Sequence, residues 1–169
     1  MMASNAAVKY GLIAGIGTIA YFLLFYFIDK ELLFNPFVYW VPLGFYLALM
    51  WRALQAGEQG QVPGFRDALR TAFLVFVVAN FLYYLFYYLL FGLIDPGLID
   101  LQREVMRESL EQQGNLLSEE QREEMLKSLE GDSLIPTAGK VFFTFVRSLI
   151  GGFVLALGMA ALASRGKMQ

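Results

Sequence analysis

The chain contains neither cysteine nor histidine. Those two absences remove disulfides, thiol nucleophiles, imidazole general bases and the usual zinc or haem ligands together. Acidic residues are missing from every long apolar run, which argues against a proton-coupled exporter working through a buried carboxylate. No strand pattern exists, and so no Gly-rich phosphate loop of the strand-to-helix kind. The sequence therefore leads us to expect no enzyme, no catalytic residue, no cofactor site and no metal site.

What is present is apolar surface. Over 169 residues the chain is 57% hydrophobic and 16% aromatic, with a mean hydropathy of +0.53, far above an ordinary soluble domain. Tyr10 to Ile28 carries no charge and is long enough, at about 1.5 Å per residue, to cross a hydrocarbon layer of roughly 30 Å. Lys9 precedes it, but Asp29-Lys30-Glu31 after it offers no small-residue cleavage site, so it reads as an uncleaved span rather than a signal peptide. Three further runs follow, giving spans over about 36–54, 69–94 and 139–164. Asn35-Pro36 suits the start of the second, and Pro42 should bend or delay that helix. Tyr39, Trp40 and Trp51 look like interfacial anchors. Gln55 to Gly64 reads as a turn.

The segment 95–138 differs from everything around it. Asp95 to Asp132 holds 11 acids against 4 bases, whereas the rest of the chain holds 4 acids against 9 bases. Acid concentrated outside the spans argues against a nucleic-acid partner, which would need a basic surface. Asp95-Pro96-Gly97 should end the third span. Leu98, Leu101 and Val105 recur at helical spacing, predicting an amphipathic helix to Gln113 that Gly114-Asn115 would end. Ser118 with Gln121 three residues on has the form of a capping box opening a second helix to about Glu130. The exposed acids Glu119, Glu120, Glu123 and Glu124 read as a solvated face, because no calcium-type loop accompanies them. The fold expected is all-α: a four-helix transmembrane bundle, one integral membrane domain, with a helical hairpin inserted between spans three and four.

Four spans place both termini on one side. Lys9, Arg52, Arg66, Arg70, Arg165 and Lys167 fall on that side close to span ends, which assigns it to the cytoplasm and the insert to the periplasm.

Small residues recur every four positions in two spans: Ala7, Gly11 and Gly15 in the first, and Ser148, Gly152, Ala156, Ala160 and Ser164 in the fourth. Such stripes let helix backbones approach closely where lipid supplies no hydrophobic drive. They predict that spans one and four pack together, Gly11 and Gly15 meeting Ala156 and Ala160. The alternative use of the stripe is a homo-oligomer contact. Asn80, Tyr84, Tyr87 and Phe91 share a face of span three, readable as a polar groove for a lipid headgroup or, more simply, as an interhelical hydrogen bond from Asn80. Arg147 interrupts the fourth span; Arg147 and Arg165 bracket about 26 Å of helix and can snorkel to either interface. Turned inward instead, Arg147 would lie at the depth of Tyr84 and Tyr87.

Val8-Lys9-Tyr10-Gly11, Phe65-Arg66-Asp67-Ala68-Leu69-Arg70-Thr71, Ile94-Asp95-Pro96 before an acidic insert, and Ser118-Glu119-Glu120-Gln121 together resemble the bacterial membrane family catalogued as domain of unknown function 4199. The resemblance implies a four-span inner-membrane protein, often encoded near lipid-linked sugar or envelope enzymes, and it transfers no catalytic residue. Two functions are therefore expected. The first is a non-enzymatic accessory or interaction protein of the cell envelope, contacting membrane lipid and a membrane or periplasmic protein. The second is binding or translocation of a lipid-linked polyprenyl-phosphate substrate through Asn80, Tyr84, Tyr87, Lys140 and Arg147.

Overall fold

The computed structural model describes residues 2–56, 64–112 and 118–165. Most of the turn expected over Gln55 to Gly64, the Gly114-Asn115 helix end and the tail after Arg165 lie outside them. Six helices are described: α1 (Met2–Ile28), α2 (Pro36–Ala56), α3 (Phe65–Leu89), α4 (Gly97–Gln112), α5 (Glu119–Glu130) and α6 (Ala138–Arg165). Four stretches, Asn5–Ile28, Pro36–Ala56, Phe65–Ile94 and Ala138–Ser164, are long and apolar enough to cross a membrane. The expected four-helix bundle with a helical hairpin insert is the architecture observed.

The helix starts follow from local chemistry. Asn35 accepts from the Phe37 N–H through its side chain at 2.9 Å, opening α2. Ser118 and Gln121 form the reciprocal capping box at the start of α5. Thr137 accepts from the Lys140 N–H at 3.3 Å as α6 begins. At the end of span three the helix loosens into a π turn over Leu90–Ile94, in which the Asp95 N–H reaches back five residues to the Leu90 carbonyl at 2.8 Å. Pro96 prevents α3 from continuing, and α4 starts at once with Gly97.

Pro42 does not delay α2: the helix starts at Pro36 and runs through it. Proline leaves the carbonyl four residues earlier without its helical donor. That carbonyl belongs to Val38, and the Tyr21 hydroxyl of α1 donates to it at 3.2 Å. A neighbouring helix thus supplies the missing hydrogen bond, as the absence of water in a bilayer core requires.

Helix α3 is the centre of the bundle. Both α1 and α6 pack along it extensively, and α2 leans on α1 and α3. The predicted seam between spans one and four is therefore corrected. Gly11 faces Val75 and Val78 of α3, Gly15 faces Ala79 and Leu82, and the Phe76 ring of α3 lies directly over Gly152. A side chain at any of the three would collide with α3, with Val78 Cβ only 2.7 Å from a Cβ placed at Gly11. Both stripes work by the predicted physics but on a shared third helix. Ala68, Ala72, Val75 and Ala79 of span three recur at helical spacing along one buried face, where small and β-branched side chains let neighbouring helices come close. Ala156 and Ala160 are fully buried in that same layer, inside the chain.

Candidate functional site

The interior divides into two clusters. Near the termini, Ala7, Ala14, Met50, Ala53, Ala68, Ala72, Val75, Ala79, Ala156 and Ala160 pack into a dense layer. Toward the insert the side chains become large and aromatic: Phe22, Leu33, Leu90 and Phe91, with Tyr83, Phe86 and Tyr87 against them. Rings there meet edge-on or tilted, such as Phe22 with Tyr83 at 5.5 Å and Phe34 with Phe91 at 6.0 Å.

Among these large side chains lies a cavity of about 520 Å³. Tyr39 and Trp40 of α2 form one wall, Tyr84 and Tyr87 of α3 the back, and Val141 and Thr144 of α6 the other wall; Gln102 and Met106 of α4 roof it. A second chamber of about 190 Å³ continues toward the middle of the bundle, sharing Phe22, Tyr39, Trp40, Tyr83 and Tyr84 with the first and adding Thr18, Tyr46, Phe76 and Asn80. The rim of the larger cavity carries Lys140, whose ammonium donates to the carbonyls of Asp132 and Ile135.

Four of the five residues singled out from the sequence thus meet in one place. Tyr84, Tyr87 and Lys140 line the large cavity, and Asn80 lines the small one while donating to Ser148 of α6 at 2.6 Å. The simpler expectation for Asn80, an interhelical hydrogen bond, is what the structure contains. Arg147 lines neither chamber and is exposed on α6, where its charge lies close enough to act on Tyr84. Tyr39 and Trp40, read as interfacial anchors, are also cavity walls. Gln102 and Thr18 were not picked out. The available signal for Thr18 was its position, which continues the Gly11–Gly15 face at helical spacing.

A polar clasp beside the cavity was missed as well. Asp95 accepts from Lys30 Nζ at 2.6 Å and from the Tyr26 hydroxyl at 3.0 Å, and Lys30 lies 4.9 Å from the Tyr26 ring centre. The Lys30 hydrogen bond, with help from Tyr26, holds the Asp95 carboxyl below the usual carboxylate range, and the same Asp95 contact raises Lys30. The clasp joins the end of α1 to the π turn on which the insert hangs. Its signal was two residues four apart at one span end, with an acid at the end of another span on the same side.

A family model described as a protein of unknown function (DUF4199) matches residues 9–165. The chain belongs to this family. Its members are thus similar to the present chain over all four spans and the insert. Comparison with curated proteins and with solved structures finds no match.

Proposed function

We propose that this family member is a small, non-enzymatic accessory protein of the bacterial inner membrane whose working part is the lateral cavity, and that the cavity holds one membrane amphiphile. The observation that carries this reading is the cavity of about 520 Å³ at the insert end, within the range of small-molecule sites. Its walls are aromatic and aliphatic, suited to a lipid chain, and its rim carries Lys140, suited to an anionic headgroup. Helix α4 covers the opening with Gln102, whose Oε1 is buried without a hydrogen-bond partner. A chain without cysteine or histidine has few groups able to activate a nucleophile, which favours holding a ligand over transforming it. The basic residues at the span ends near the termini support a cytoplasmic placement of that side, with the insert and the cavity mouth toward the periplasm.

The test is native mass spectrometry of the full chain released from native membranes in mild detergent. The parent should retain one lipid, and Thr144→Trp, which fills the cavity from α6, should lose it while keeping its thermal transition. Equal lipid retention by parent and variant would remove the cavity as the binding place.

A further inference from the structure

The smaller chamber has a chemistry that a plain hydrocarbon chain does not use. Three of its polar side chains lie at one depth: Tyr46 is the midpoint of its span, Asn80 is at the centre of its own, and Thr18 is within about two residues of the centre of the first. This is the middle of the bilayer, where a hydrogen-bonding group without a partner is costly. Asn80 is anchored by Ser148 at 2.6 Å. Thr18 is 1% exposed, and its hydroxyl lies beside the Tyr46 phenol without a hydrogen bond of ordinary geometry.

Building on the amphiphile reading of the larger cavity, we infer that the small chamber is a second subsite, which takes an uncharged hydrogen-bonding group, a hydroxyl or a carbonyl, carried part-way down the lipid chain. Every side chain lining it is uncharged, so an ionic group has no counter-charge there. A volume of about 190 Å³ admits a substituted stretch of chain but no second headgroup. The register is fixed by α6: Lys140 at the rim and Ser148 beside Asn80 are eight residues apart, about 12 Å along the helix. The ligand class is therefore a lipid with an anionic head and a neutral polar substituent about that far below it, the substituent satisfying Thr18 and Tyr46.

A matched pair of probes tests this. Stearic acid and 10-hydroxystearic acid differ only in a mid-chain hydroxyl, and their binding to delipidated full chain can be read by thermal shift and by native mass spectrometry. The hydroxylated acid should bind roughly fivefold to tenfold tighter, the size of one neutral hydrogen bond. That preference should vanish in the isosteric Thr18→Val while stearic acid still binds. Tyr46→Phe gives the same reading should Thr18→Val not fold. Equal affinity of the parent for both acids, or a preference that survives both variants, overturns the second subsite and leaves the larger cavity standing. Binding of neither acid overturns both.

Discussion

The two halves of the bundle use the same four spans in opposite ways. Near the termini, glycine and alanine bring α1 and α6 onto α3 until a single added carbon would collide, as at Gly11, Gly15 and Gly152. Toward the insert, phenylalanine and tyrosine predominate, and two chambers with shared lining residues lie between that end and the middle of the bundle. Side-chain size distinguishes the two halves, since both are apolar and neither gains a hydrophobic drive from lipid. The dense half supplies rigidity and the hollow half supplies room. A binding site in a small membrane protein requires both, because the helices that line a cavity must be fixed somewhere else.

That division can be broken first in the dense half. Gly152→Leu drives a side chain into the Phe76 ring and should destabilise the bundle by about 1–3 kcal/mol, seen as a lowered unfolding midpoint in detergent. Thr144→Trp, a larger change in volume, should cost far less because it enters open space. If the two variants unfold alike, the halves do not differ in packing.

The smallest expected effect sharpens the boundary between insert and bundle. Asp95 has a lowered pKa in the folded protein, so its contribution is present above the ordinary carboxylate value and fades as pH falls through the folded one. Lys30 is raised, so its contribution is present below the ordinary lysine value and is lost as pH rises through the folded one. The Lys30 side chain is 46% exposed and that of Asp95 22%, so solvent screens the pair and keeps the effect slight. Asp95→Asn should lower stability slightly at neutral pH, with parent and variant converging in acid, so that the acid limb of the stability profile flattens by that same small amount. An acid limb identical to the parent's would mean that the clasp does not hold the span end.

Much of this was legible in the residues themselves. Charge-free runs of bilayer length marked four spans, and the capping box at Ser118 marked α5. The stripes announced close packing but not its partner, because a period of four identifies a face and says nothing of which neighbour covers it. Span three received both stripes for a reason spread over Ala68, Ala72, Val75 and Ala79, each unremarkable alone. That α2 starts before Pro42 was not legible, because the donor that serves the Val38 carbonyl sits on another helix. The cavity was half visible: Asn80, Tyr84 and Tyr87 shared a face, and Lys140 stood at the correct end. Gln102 and Met106 could not be placed, since their contact with span three depends on how the π turn aims α4.

Because the chain lacks cysteine, single introduced thiols report without background, and this gives the most direct test of a sealed half against a hollow one. Val141→Cys lines the large cavity, and Ala79→Cys is buried in the dense layer. In delipidated protein, maleimide should label the cysteine at position 141 and not the one at 79, and a long-chain anionic lipid added before the reagent should protect position 141. Equal labelling of the two positions, or labelling at 141 that lipid leaves unchanged, would contradict the account.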